Sequence, residues 1–244
     1  MSWQAERCDL DADAVRTALG RTGVVVIPGA GLSDDAFVAF LEKLGPLAFT
    51  DGETPLAHQP KLNFVTNVGR TRPPRSVFHT DTSYVSRPPA LTALKAERIP
   101  ERGGETVFTN QFDAYDRLDP ALKRELEGAR VLHRVTGVET EGERETWHPL
   151  FRRHPDSGQI ALFLSTPERC VALMRADGSR ADHLIPQLFA HSTDPAHEWR
   201  HRWQAGDILI WDNRCTLHKG DHTAVEGDRV LHRGMVRGEV PLAA

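Results

Sequence analysis

The sequence is poor in cysteine: Cys8, Cys170 and Cys215 are the three it has among 244 residues. They lie far apart and form no CxxC pair, which speaks against a zinc knuckle or a disulfide framework. Three scattered thiols fit a reducing cytoplasm, as packed or surface groups. No apolar run approaches the ~20 residues that a membrane-spanning helix needs. The first residues, MSWQAERCDLDAD, lack the basic start and apolar stretch of a secretory signal. Excess charge of one sign is absent too: 30 Lys and Arg stand against 34 Asp and Glu, for a net charge of -4. That balance gives neither nucleic acid nor an anionic membrane a long-range attraction, so no partner of either kind is expected. There is no internal repeat, low-complexity tract or clear linker. With 39% hydrophobic residues, a chain of this length can bury its core as a single domain over residues 1–244.

What is present is mostly strand signal. Val24–Ile27 is a short β-branched run closed by Pro28 and Gly29. Ser33, followed by Asp34 and Asp35, starts a helix whose Phe37, Phe40, Leu41 and Leu44 recur on one face, and Gly45-Pro46 ends it. Further strands are expected at residues 62–66, 78–84, 91–97, 106–108, 131–135, 160–164, 198–203, 207–211 and 229–236, with Gly, Pro or Asp clusters between most of them. Helices interrupt at Asp119-Pro120, a cap followed by proline at the first helical position, and at residues 181–190. In the latter, Leu184, Ile185, Leu188 and Phe189 form a core stripe. Many short strands with few helices point to a mainly β fold, a sandwich or jelly roll with flanking helices.

Three strings carry chemistry. In the first, His79 and Asp81 stand two apart within Phe78-His79-Thr80-Asp81-Thr82-Ser83-Tyr84. On a strand, residues i and i+2 project to the same face, which sets an imidazole beside a carboxylate as two ligands of one metal require. Alone the pair is weak, because a histidine near an aspartate is usually a surface feature. In the second, Gly206-Asp207 feeds an apolar run, and a polar cluster then leads to His218. Two histidines and one carboxylate on one face of a metal form the facial triad of non-haem iron(II) oxygenases, with positions open for a chelating 2-oxo acid and dioxygen. Taken alone, His218 reads as a hydrogen-bonded histidine at a strand end. In the third, Arg229 and Arg233 share a face if their segment is a strand. Each offers a fixed fork of donors suited to a carboxylate. Singly they read as solvated arginines near Asp228 and Glu239. Any one string leaves the ordinary reading ahead; the three in this order weigh against it.

With those residues, the chain resembles the taurine dioxygenase and 2,4-dichlorophenoxyacetate dioxygenase family from about Phe40 to Val236. The matching stretches are HTDTSY, PPALTALKAERIPERGGETVFTN, AYDRLDP, HPLFRRHPDSGQIALFL, WQAGDILIWDNRCTLHKG and RVLHRGMVRG. The resemblance implies a double-stranded β-helix, a cupin-like jelly roll. It also implies iron(II), 2-oxoglutarate as co-substrate, and dioxygen. It puts the metal ligands on His79, Asp81 and His218. The family's threonine and arginine that hold the distal carboxylate of 2-oxoglutarate fall on Thr106 and Arg229. Arg233 falls where the taurine enzyme's second arginine helps hold the substrate sulfonate. Two neighbouring positions depart from the taurine enzyme: a sulfonate-binding histidine is replaced by Thr50, and an asparagine before the HxD motif by Arg75. Both changes argue against taurine itself and leave the iron and co-substrate residues untouched.

The implied reaction couples decarboxylation of 2-oxoglutarate, giving succinate and carbon dioxide, to oxidation of a C–H bond in a small-molecule substrate. Hydroxylation is the expected outcome, with desaturation and cyclisation left open. Asp81 speaks against the halogenating variant. The substrate is expected to be anionic, because a second buried guanidinium at Arg233 is costly without an anion of its own or an internal carboxylate. A β-helix protein that binds a small acid or a metal without turnover is the alternative, but binding alone does not need this residue set. A metal-dependent hydrolase on a cupin-like barrel would have no use for Arg229. His148 and His154 read as structural. His191, His197 and His201 match no ligand spacing, and His222 lies on strand and turn rather than on a helix. Trp211, Asp212, Asn213 and Arg214 are expected to shape the strand end behind the metal. A homo-oligomer is compatible with the sequence; substrate identity and pathway are not legible in it.

Overall fold

Apolar runs without polar alternation belong to strands covered on both faces. Val24–Ile27 and Ile208–Asp212 are such runs, and in the computed structural model they lie antiparallel, side by side, in the larger sheet. The structure describes residues 3–50, 52–70, 76–137 and 139–244, so Arg75 lies outside the described residues. The larger sheet is ordered Glu6–Arg7, Val24–Ile27, Ile208–Asp212, Leu91–Arg98, Val230–Val236, Gln59–Thr66, Pro55–Leu56, and Leu47–Ala48 also joins Val230–Val236. Its alternate residues go to two places. Val25, Ile27, Ala93, Ile208 and Ile210 pack against Val15, Leu19, Phe37 and Leu41 of the helices Ala12–Thr22 and Asp34–Leu44. Val24, Val26, Leu94, Leu209, Trp211 and Leu231 point the other way, onto Phe108 of a three-stranded sheet. That sheet runs Glu198–His201, Thr106–Asn110, Thr216–Gly220, antiparallel throughout. Two sheets around a filled interior, with helices outside, make the expected jelly roll.

Two smaller sheets close one side. Cys170–Met174, Arg130–Arg134 and Glu145–Pro149 form one; Ile160–Leu162, Phe151–Arg153 and Leu242–Ala243 form the other. They share a core of Leu126, Val131, Leu150, Leu162 and Leu173 with Leu188 of the helix Ile185–Ser192. The capping expectations hold. The Ser33 side chain accepts from Ala36 N, and Asp119 accepts from Ala121 N and Leu122 N ahead of Pro120. All three cysteines are free, and among the described residues no helix is long and apolar enough to cross a membrane.

The expected strand at 78–84 does not form. His79 makes a lone antiparallel bridge with His218, each N–H donating to the other's carbonyl at 2.9 and 3.0 Å, and the chain then turns. Thr80 pins the turn: its Oγ1 donates to the Leu164 carbonyl at 3.1 Å, and its own carbonyl accepts from Arg169 Nη1 at 2.9 Å. Thr82 follows with φ 44°, a left-handed conformation that is costly for a β-branched residue and incompatible with a continuing strand.

Candidate active site

The bridge between His79 and His218 sets two imidazoles side by side, with ring centroids 4.3 Å apart. The turn then brings Asp81 back beside them. Its Oδ1 lies 3.6 Å from His79 Nε2 and 3.8 Å from His218 Nε2. A turn, and not strand alternation, thus unites the pair two residues apart. One ligand atom from each of the three residues lies within 4.8 Å of the others. His79 Nδ1–H donates to the Val77 carbonyl at 2.9 Å, which leaves the Nε2 lone pair facing the centre. Burial pushes His218 down to about 3, against the pull of Asp81. Its ring is therefore neutral at neutral pH, the form that ligates a metal. Burial also raises the Asp81 carboxyl, but His218, His79 and Arg233 outweigh it and hold the group well below the usual carboxylate range. Two imidazole nitrogens and one carboxylate oxygen converging from one side are a donor set that could hold iron(II).

Behind Asp81 runs a chain of hydrogen bonds. Its Oδ2 accepts from Thr92 Oγ1 at 2.7 Å, Thr92 Oγ1 accepts from Asn213 Nδ2 at 2.8 Å, and Asn213 Oδ1 accepts from Trp211 Nε1 at 3.1 Å. One carboxylate oxygen is thereby tied to the fold, and the other is left facing the histidines. Sequence reasoning placed Trp211 and Asn213 behind the metal but missed Thr92. Its signal was a lone hydroxyl in the apolar start of Leu91–Arg98. Asp212 pairs with Arg214 Nη2 at 2.6 Å and with His154 Nε2 at 3.0 Å, all deep in the interior. His148 Nε2 donates to the Ser83 carbonyl at 3.0 Å, propping the turn that carries Asp81.

Arg229 lies just before Val230–Val236, and its side chain turns into the same interior as Leu231. It is 2% exposed. Its Nε donates to the Gly104 carbonyl at 2.8 Å and its Nη2 to Thr106 Oγ1 at 3.4 Å. Gly104, at φ 75°, permits this approach: a Cβ there would stand 2.9 Å from Arg229 Cδ. Thr106 Oγ1 also accepts from Trp203 Nε1 at 3.1 Å. Among the described residues no carboxylate pairs with Arg229, and burial alone pushes its guanidinium down to about 10. A buried cation without a counter-ion is a seat for an anion.

Arg233 faces the same interior but is differently placed. Its Nη2 is ion-paired with Glu53 Oε2, and its Nε donates to Asn63 Oδ1 at 3.2 Å. Asn63 Nδ2 donates to the same Glu53 oxygen at 2.7 Å. Arg233 Nη1 lies 3.9 Å from Asp81 Oδ1. Burial lowers the Arg233 guanidinium, but Asp81 and Glu53 overcome this and raise it. Thr50 is buried with its Oγ1 2.9 Å from Thr82 Oγ1, and both line a cavity of about 120 Å³ with Tyr84 and Met235. Nothing in the sequence announced Glu53, which sits in a loop 180 positions from its partner.

Over residues 2–235 the chain matches the model of the taurine catabolism dioxygenase TauD, TfdA family. The chain belongs to this family. The dioxygenase is 30% identical over 252 residues to an alpha-ketoglutarate-dependent 2,4-dichlorophenoxyacetate dioxygenase of Cupriavidus pinatubonensis, covering 90% of this chain and 86% of the relative. It is 31% identical over 266 residues to an alpha-ketoglutarate-dependent sulfate ester dioxygenase of Pseudomonas putida, covering 96% and 84%. The crystal structure of a taurine dioxygenase from Burkholderia xenovorans aligns with a TM-score of 0.81 and 29% identity, over 99% of this chain and 91% of that one. Membership makes this chain an iron(II)- and 2-oxoglutarate-dependent dioxygenase, an oxidoreductase that consumes dioxygen, and leaves the binding-only alternative without support. The relatives differ in substrate, so membership does not supply one.

Proposed function

We propose that residues 1–244 form one dioxygenase domain that oxidises a C–H bond of a small organic molecule, most simply by hydroxylation, with iron(II) held by His79, Asp81 and His218. One observation carries the assignment of residues: the triad shares its interior with an arginine, Arg229, that is buried with no carboxylate partner among the described residues. The metal, when bound, supplies chelation of the 2-oxo acid and activation of dioxygen. The protein's part is position and dryness. Arg229 and Thr106 hold the distal carboxylate of 2-oxoglutarate. Because Thr106 Oγ1 accepts from Trp203 Nε1 and Arg229 Nη2, its own proton is free to donate to that carboxylate. Thr92 and Asn213 fix the rotamer of Asp81. Trp211 and Phe108, with ring centroids 4.4 and 6.0 Å from that of His218, exclude water from its far side.

The substrate approaches past Thr50, Thr82 and Tyr84, with its reacting carbon beside the triad. The expectation of an anionic substrate rested on Arg233 needing an anion. Glu53 is an internal carboxylate at that position, so the need is met within the chain. A cytoplasmic setting fits the three free thiols.

The test is succinate formation under air with iron(II), ascorbate and a panel of small organic substrates. We expect succinate in step with substrate-stimulated oxygen uptake, and loss of both in His79→Ala, Asp81→Ala and His218→Ala. Undiminished iron-dependent turnover by Asp81→Ala would overturn the assignment.

A further inference from the structure

Arg229 and Arg233 face one interior four positions apart, and their partners differ: among the described residues no carboxylate pairs with Arg229, whereas Arg233 is paired with Glu53. We propose that Glu53 is a built-in occupant of an anion seat, and that the substrate of this dioxygenase presents an uncharged group to Arg233. The inference rests on the dioxygenase reading above and names the substrate class of the same site.

The contact has the form of a built site. Glu53, Asn63 and Arg233 close a ring in which the Asn63 amide donates to the carboxylate and accepts from the guanidinium. Asn63 is 6% exposed, and the side chains of Arg233 and Glu53 are 14% and 23% exposed. An exposed ion pair of long side chains is readily exchanged for another. A carboxylate shared between a guanidinium and a buried amide is held in register and is replaced only by a ligand that satisfies both donors.

Charge bookkeeping agrees. A divalent metal, the Asp81 carboxylate, the two carboxylates of 2-oxoglutarate and Arg229 together sum to zero. Arg233 and Glu53 also sum to zero, as do Arg87 and Glu143, which line the adjoining cavity. These groups sum to zero before any substrate enters, and Arg169, which donates to the Thr80 carbonyl behind the turn, is a further cation nearby. An anionic group beside Arg233 would have to displace Glu53 or be buried against its carboxylate, which is unfavourable. On this side the cavity is lined by the hydroxyls of Thr50 and Thr82, which bond to each other at 2.9 Å and keep further capacity for an uncharged hydrogen-bonding group.

The experiment uses Glu53→Gln, which keeps shape and removes charge. Wild type and variant are loaded with manganese(II) and saturating 2-oxoglutarate, so that Arg229 is occupied and no turnover occurs. Each is then titrated calorimetrically with propane-1-sulfonate and with the uncharged propane-1-sulfonamide. We expect wild type to bind the sulfonate no better than the sulfonamide. Glu53→Gln should gain at least about tenfold in sulfonate affinity, about 1.4 kcal/mol, with the sulfonamide unchanged. The double variant Glu53→Gln/Arg233→Gln should lose that gain. Glu53→Ala repeats the test without an amide that could re-form the ring, and thermal unfolding checks that each variant is folded. Absence of a gain in both single variants, or sulfonate binding by wild type that depends on Arg233, would overturn the proposal. If manganese-loaded wild type fails to bind 2-oxoglutarate at all, the dioxygenase reading falls first and the proposal with it; that measurement precedes the others and separates the two failures.

Discussion

Arg229→Gln should separate what a buried arginine costs the empty protein from what it does for the ligand. In the ligand-free chain, burial pushes the guanidinium from 12.5 to about 10, a penalty of about 3 kcal/mol. Glutamine carries no charge and keeps an amide donor for the Gly104 carbonyl, so the substitution removes the penalty and forfeits the contact with Thr106, about 1 kcal/mol. Stability without ligand should therefore hold or rise, by up to about 2 kcal/mol, which for a chain of this size is a few degrees in Tm. With 2-oxoglutarate the sign reverses. The distal carboxylate loses its fork and is left buried, which costs on the order of 2–5 kcal/mol, or roughly thirtyfold to several thousandfold in affinity. Thermal unfolding with manganese(II) over a range of 2-oxoglutarate concentrations reads both effects. Wild type should gain about 2.7 kcal/mol at a concentration one hundred times Kd. Arg229→Gln should start at or above the wild-type Tm and stay flat over the same range. A variant that is several kcal/mol less stable, yet is stabilised by 2-oxoglutarate as much as wild type, would refute the reasoning and move the co-substrate seat elsewhere.

Three further outcomes are expected. Thr92→Val leaves Asp81 Oδ2 without its donor and should weaken manganese(II) or iron(II) binding roughly 10–100-fold with the fold intact; unchanged metal affinity would show that the hydrogen-bond chain does not position Asp81. Thr106→Val should raise the half-saturating 2-oxoglutarate concentration several-fold, for a loss of about 1 kcal/mol, and leave the requirement for substrate unchanged; steady-state kinetics with each varied in turn would expose the opposite pattern. His148 is pushed down to about 4, first by burial and then by the charge of Arg152. A base held lower in the folded than in the unfolded chain makes unfolding take up a proton between about 4 and 6.5, so stability present above that window is lost as pH falls through it, by up to about 3 kcal/mol from this group. His148→Gln should reduce the fall in urea midpoint between pH 7 and pH 4.5, and an equally steep fall would show that His148 is not among the responsible groups.

How far these features could be read in advance depended on the range of the interactions behind them. Val24–Ile27 was exact because a β-branched run ended by Pro28-Gly29 has its boundaries written locally. The pairing of Arg229 with Arg233 on one face followed from strand alternation, which also sends His232 outward to Asp34 Oδ1 at 2.7 Å. The turn through Thr80 was not legible, since it is pinned by Leu164 and Arg169, more than eighty positions away. The strand Phe151–Arg153 was hidden by its own polarity. Arg152 is fully buried, paired with Glu239 and stacked 4.7 Å from the Phe163 ring centroid, where two adjacent arginines ordinarily signal solvent. Glu53 shows the same limit: an acidic residue in a loop carries no mark of the guanidinium that it meets.

The most direct test of the site is an anaerobic titration of the purified protein with iron(II) and 2-oxoglutarate, followed in the visible range. We expect the weak charge-transfer absorption of an iron-bound 2-oxo acid, saturating at about one iron per chain and lost in Asp81→Ala and His218→Ala. No such absorption in the wild-type protein, or an undiminished one in Asp81→Ala, would contradict the assignment of His79, Asp81 and His218 as the metal centre.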